Sequence, residues 1–209
     1  MPLPPPVAHP FVYLASQSPR RVQLLNQLGV NHRPLLPDPG EDPEALEETR
    51  TGELPLAYVQ RVVRLKLDEA RRRLRRRRLP VAPILCADTT VALGTRILGK
   101  PADEAEAAEM LRALSGRSHR VMTAVVVLAG TQVFADTSIS RVRFAELSET
   151  TIRRYIESGE PMGKAGAYAI QGRIAAWIAQ IEGSHSGIMG LPLFETTALL
   201  ARARVRLEL

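Results

Sequence analysis

Asp88 follows the apolar run "ILCA" at residues 84–87 and closes what reads as a buried strand. A carboxylate at the carboxyl end of such a strand is where open α/β sheets place ligand chemistry. Three lysines stand at comparable places. Lys66 interrupts the apolar stripe of a long helix, Lys100 sits in the turn "LGKPAD", and Lys164 lies in "GKAGAYAIQG", whose small residues let backbone approach a ligand closely. Ser16, Ser18, Arg20 and Arg21 crowd into "LASQSPRR" at the start of a helix, and helix-start amides attract anions. Lysines, arginines, hydroxyls and amides around one or two carboxylates suit a polyphosphate held electrostatically, with the carboxylate serving a metal or a water. Each residue also has a plainer reading: Asp88 as a turn former, Lys66 as a snorkelling rim residue, Ser18 and Pro19 as an ordinary N-cap and first helical position.

Other chemistries lack their residues. The chain has no G-x-x-x-x-G-K-[ST] loop, no G-x-G-x-x-G after a strand, no G-x-S-x-G elbow and no Cys or His pair at zinc spacing. The four histidines are scattered, and His119, at a strand start, reads as structural. The lone Cys86 excludes an intramolecular disulfide, fits a small core residue and suits a reducing compartment. No apolar run approaches the ~20 residues of a membrane span. The Pro-rich "MPLPPPVAHP" has neither a basic n-region nor an apolar h-region, so it is expected to be a stiff extension over residues 1–10 and not a signal peptide. A single domain over residues 11–209 and a cytoplasmic location follow as expectations.

The elements that must position these groups are legible from periodicity. Residues 11–15 read as a buried strand, followed by a helix that Gly29 ends, and residues 31–36 as extended. An acidic loop, "PDPGEDPEALEETRTG", leads to a helix over residues 54–79 with Val59, Val62, Val63, Leu67, Ala70 and Leu74 on its stripe. The run "VAPILCADTTVAL" reads as a strand interrupted at Asp88, Thr89 and Thr90, and "LGTRILGKP" as a turn and short return strand. A helix over 103–114, two long strands over 120–128 and 132–144, a helix over 148–158, a Gly-rich loop over 159–172, a strand over 174–181 and a final helix over 193–207 complete the reading. Helices and strands mix throughout, so an α/β chain with a largely central sheet is expected.

At 209 residues and 45% apolar content the chain can bury a real core, but only 4% is aromatic, so Leu, Val, Ile and Ala must supply it. A formal charge of +6 favours anionic partners. Seven arginines fall within residues 71–78. They read as a solvated helix face with favourable charge at its C-terminus, and no aromatics interleave to stack bases, so nucleic acid is not expected as a partner.

The segments "LASQSPRRVQLLNQLGV", "ADTTVALGTRILGKP", "LRALSGRSHRVMTAV", "GEPMGKAGAYAIQG" and "GLPLFET" resemble, in order and spacing, the Maf family of nucleoside triphosphate pyrophosphatases. The resemblance implies a central mixed twisted sheet flanked by helices, with two lobes around a nucleotide-binding cleft, a homodimer, and a divalent cation, Mg²⁺ or Mn²⁺. It implies hydrolysis of a nucleoside triphosphate to the monophosphate and pyrophosphate, cleansing the nucleotide pool. Asp88 becomes the general base and a metal ligand. Arg20, Thr89 and Gln171 look like the specificity set of the dTTP/UTP branch. Phosphate binding carries over to Ser16, Lys66, Lys100 and Lys164, and a loop metal ligand to Glu41, with Asp42 as the alternative. Two positions depart from the family pattern: Gly163 stands where an Asp is usual, and Ala169 where a Gly is. A nucleotide-binding regulator of septum formation that does not turn over its ligand is the competing reading.

Overall fold

The computed structural model describes residues 8–207. The expectation for the N-terminal extension therefore lies largely outside the described residues; only its last residues fall within them. Strands β1 (Val12–Leu14), β2 (His32–Pro34), β3 (Ile84–Leu93), β4 (Arg96–Leu98), β5 (Ser118–Ala129), β6 (Gln132–Phe144) and β7 (Ile178–Glu182) form one sheet. Its order is β2-β1-β3-β5-β6-β7, with β4 also paired to β3. β1 runs parallel to β2 and β3, while every other pairing is antiparallel. The sheet is mixed and open, as expected of an α/β chain.

Among the described residues six α-helices cover it: α1 (Pro19–Gln27), α2 (Pro55–Arg76), α3 (Glu104–Leu114), α4 (Glu149–Glu157), α5 (His185–Met189) and α6 (Leu193–Arg202). The stripe of α2, Val59, Val62, Val63, Leu67 and Ala70, packs with Ile84, Cys86 and Ala92 of β3 on one face of the sheet. Leu24 and Leu25 of α1 and Leu199 and Leu200 of α6 pack with Leu85 and Ala87 on the other. Alternation along β3 therefore assigns even positions to the α2 side and odd positions to the α1 side. A third cluster gathers α3 and α4 around Val121 and Phe144.

One irregularity of pairing organises the rest. β5 lies along one edge of β3 from Ile84 to Ala92. On the other edge β1 pairs only with Ile84 and Leu85, and β4 only from Val91 to Leu93. Among the described residues, none pairs as a strand with residues 86–90 on that edge. The expectation that Asp88 closes its strand is thus corrected: β3 continues to Leu93, and Asp88 sits mid-strand where the adjoining strand has left.

Other boundaries shift for local reasons. The strand expected over 174–181 begins as a 3-10 turn, Arg173–Trp177, because Gly172 N–H closes on Ala169 O at 2.8 Å and Glu160 accepts the Arg173 N–H at 2.9 Å; only Ile178–Glu182 is extended. The final helix stops at Arg202, since Arg204 turns left-handed (φ 56°) and Val205 pairs with His9. α5 was not expected at all, five residues being too short for a periodicity to show.

His119 is buried, as a structural histidine should be. Its Nε2 lies 2.8 Å from the Tyr168 hydroxyl, and its ring packs edge-on against Phe144 and Tyr168. Burial lowers its pKa from the usual 6.5 to about 4. The unfolded chain therefore binds the extra proton first as pH falls, and stability that is complete above pH 6.5 is lost towards pH 4, by roughly 3 kcal/mol in all. Urea denaturation of wild type and His119→Gln across that window should give a shallower dependence on pH in the variant. Parallel curves would contradict the assignment.

Candidate active site

Where β1 leaves β3 the chain enters α1 through Ser16, Ser18 and Pro19. Ser18 takes the N-cap position with extended backbone, yet its hydroxyl makes no capping bond. The Ser16 hydroxyl acts instead: it accepts the Ser18 N–H at 3.2 Å and Arg21 Nη1 at 3.1 Å. Arg21 also donates from Nε to Gly190 O at 2.7 Å and from Nη2 to the Thr89 hydroxyl at 3.4 Å. Burial pulls its guanidinium below the ordinary value, and the Asp88 charge opposes this. Thr89 in turn lies 2.9 Å from the Thr123 hydroxyl, which donates to Gly187 O at 2.7 Å. Arg20 bonds Met189 O at 3.3 Å, leaving the rest of its guanidinium in the cleft. This is the α1 face of the bare β3 edge.

Asp88 projects to the α2 face. There Lys66 Nζ donates to its Oδ1 at 2.5 Å and to Glu47 Oε1 at 2.7 Å. The break in the α2 stripe is thus a lysine aimed inward between two carboxylates. Lys100 extends the array, 3.0 Å from both Glu47 and Glu44. Burial alone would raise the Glu47 carboxyl, but Lys66 and Lys100 outweigh it and hold the pKa below the usual value. Glu47 ends a 3-10 turn, Ala45–Glu47, whose last carbonyl accepts the Tyr58 hydroxyl at 2.8 Å.

Glu41, the expected metal ligand, borders the same cleft but is otherwise engaged. Its carboxylate accepts Arg73 Nε at 3.1 Å and also pairs with Arg76. Arg76 and Arg77 pair with Asp38, and Arg77 also bonds Leu36 O at 2.8 Å. The arginine run is therefore only partly a solvated face, because three of its members grip the acidic loop. Asp42, the alternative, caps the next turn by accepting the Glu44 N–H at 2.9 Å.

Lys164 donates to Met162 O at 3.2 Å; burial first, and then the Arg20 charge, lower its ammonium pKa. Gly163 beside it has φ +70° and open space where a Cβ would stand. With no carboxylate there, the acid whose charge reaches Lys164 is Glu160. The Lys164 segment is tied to the Lys100 turn by Gly166 N–H to Gly99 O at 3.0 Å. Gly166 lies so close to Val91 that a Cβ on it would meet Val91 Cγ1 at 2.8 Å. Gln171, Ser16, Arg20, Glu41 and Thr89 join Asp88 and the three lysines around one cleft of about 610 Å³.

Residues 11–203 match the family model described as Maf-like protein. The chain belongs to the Maf-like family. It is 61% identical over 197 residues to the dTTP/UTP pyrophosphatase of a Polaromonas species, covering 94% of this chain and 98% of that protein. It is 60% identical over 198 residues to the dTTP/UTP pyrophosphatase of Cupriavidus pinatubonensis, covering 95% and 99%, and 61% identical over 201 residues to that of Ralstonia nicotianae, covering 95% and 97%. Membership of the Maf-like family accounts for the convergence of distant motifs on one cleft. Sequence reasoning missed Glu47, Thr123 and the contacts of Arg21. Glu47 was hidden among the carboxylates of residues 41–48, and only the turn that Tyr58 anchors selects it.

Removing the Lys66 ammonium leaves Asp88 and Glu47 facing each other without their shared cation. Lys66→Met should cost on the order of 3 kcal/mol, the low end for breaking one side of a buried pair. Adding Asp88→Asn should restore much of it, and denaturant midpoints of the single and double variants test this. Strict additivity would remove Lys66 from the role.

Proposed function

We propose that this Maf-like chain hydrolyses nucleoside triphosphates, dTTP and UTP above all, to the monophosphate and pyrophosphate. The observation that carries the reading is the division of labour along the bare β3 edge. Asp88 faces lysines and acids on the α2 side, while Thr89 faces arginine and hydroxyl groups on the α1 side, within one cleft. The dTTP/UTP pyrophosphatase names of relatives at about 60% identity support the same substrates.

The donor set fits a divalent cation. Asp88 and Glu47 already flank one cationic position, that of Lys66 Nζ, and among the described residues no group of three His, Cys, Asp or Glu side chains is placed to hold a metal ion by itself. Two carboxylates completed by phosphate oxygens and water are the usual environment of Mg²⁺ in nucleotide sites. Glu47 is the loop ligand proposed here in place of Glu41, whose carboxylate is held by Arg73 and Arg76. When bound, the cation neutralises phosphate charge and polarises the scissile phosphate.

Asp88 accepts the proton of a water that attacks the α-phosphate in line, and pyrophosphate departs. Lys66, Lys100 and Lys164 stabilise charge on the equatorial and leaving oxygens, and Ser16 donates to a phosphate oxygen. Arg20, Thr89 and Gln171 read the pyrimidine edge. A homodimer and a cytoplasmic location belong to the same proposal; among the described residues no helix is long and apolar enough to cross a membrane.

Asp88→Asn keeps the shape and loses the base, so kcat for pyrophosphate release from UTP should fall by about two to four orders of magnitude. Turnover near that of wild type would remove Asp88 from the role. A second assay compares UTP with purine triphosphates: Gln171→Ala should narrow the preference, and an unchanged ratio counts against base reading by Gln171. Absence of pyrophosphate release by the wild-type protein, with Mg²⁺ and with Mn²⁺, would favour the non-hydrolysing nucleotide binder.

A further inference from the structure

The acidic loop reaches the cleft without a strand or a long helix of its own, so something else must hold Glu47 in place. Side chains of α2 grip it at both ends, and Lys100 pairs with Glu44 and Glu47 between them. At one end Tyr58 bonds Glu47 O at 2.8 Å, and Arg61 bonds Glu48 O at 2.8 Å while its Nε and Nη2 engage both oxygens of Glu53 at 2.6 and 2.7 Å. At the other end Arg73 carries the connection. It is only 5% exposed, donates from Nη1 to Leu35 O at 2.9 Å, and grips Glu41 through Nε. Between the two ends, Asp42 caps the turn that leads into the 3-10 segment ending at Glu47.

A buried guanidinium is held at a cost unless its donors are satisfied, and Arg73 meets that need with groups from the end of β2 and from the loop. Arg73 and Lys66 are seven residues apart, about two turns of one helix, or roughly 10 Å along its axis. α2 therefore sets both the position of Lys66 and the point from which the loop returns towards it. Arg76 and Arg77 add exposed pairs to Asp38, where ion pairs contribute little. Arg73 is the buried member of this clasp.

We propose that Arg73 is a positioning residue that acts through Glu41 to hold the acidic loop, and hence the Glu47 carboxylate, opposite Asp88. The role of Glu47 rests on the pyrophosphatase reading; the mechanical connection from Arg73 to the loop does not.

Two measurements test it. In hydrogen exchange of the protein without nucleotide or metal, Arg73→Met should speed exchange of the amides of residues 41–47 by about tenfold, while those of β5 stay protected. Unchanged exchange in that segment would overturn the proposal, whatever the enzyme does. In pyrophosphate release from UTP, Arg73→Met should lower kcat about 10–100-fold, the usual cost of losing a group that orients a ligand, with Arg73→Lys intermediate. In the Glu47→Gln background the same change should have little further effect, whereas an equal loss in both backgrounds would show that Arg73 does not act through Glu47. Should Arg73→Met fail to fold, Glu41→Gln breaks the same contact from the loop side and carries both measurements. A wild-type protein that releases no pyrophosphate would sink the catalytic reading and leave the exchange experiment to decide the positioning role.

Discussion

The cleft exists because a strand is missing. β3 is paired on one edge along nearly its whole length, but β1 serves the other edge only at its start and β4 only at its end. A fully paired β3 would bury residues 86–90 beneath neighbouring backbone. The divergence of β1 into α1 instead opens a window in mid-sheet, and the two-residue periodicity of a strand sends adjacent side chains through it to opposite faces. Asp88 and Thr89 are neighbours in sequence, yet they meet different helices and different chemistry. The acid meets a lysine, and the hydroxyl an arginine and a threonine.

That arrangement also settles how so many charges share one cavity. Lys66 lies between Asp88 and Glu47, Lys100 between Glu47 and Glu44, and Arg73 against Glu41. Asp88, Glu47, Glu44 and Glu41 each have a cationic partner on the α2 side, and the buried partners spare one another the cost of a lone charge. The α1 side works differently, because Arg21 spends its donors on a serine, a threonine and a backbone carbonyl. Those partners are all neutral, and the opposing charge that acts on Arg21 most is that of Asp88 across the strand.

Much of this was legible in the residues. The gap in the α2 stripe announced Lys66, since a helix that buries Val62, Val63 and Leu67 has little choice about where residue 66 points. The polar break in an apolar run announced Asp88, although "DTT" imitates the end of a strand, and only the absence of a neighbour on one edge explains why three polar residues persist inside it. Glu47 was not legible. Five acids crowd residues 41–48, and the choice among them depends on tertiary contacts from Tyr58, Lys66 and Arg73 that no local pattern encodes. The early stop of α6 was invisible for a similar reason, being set by a pairing between residues 9 and 205.

Gly166 shows how little material can hold a site to its dimensions. Its backbone is left-handed, its N–H binds the Gly99 carbonyl, and Val91 stands where its side chain would begin. Lys164 precedes it by two residues and Lys100 follows Gly99, so two lysines from distant parts of the chain are spaced by a contact between two glycines. One added methyl group would have to displace Val91, which belongs to the same strand as Asp88. The calibre of the cavity is thus governed at a position that has no side chain, and a surface comparison of the lysines alone would overlook what keeps them apart.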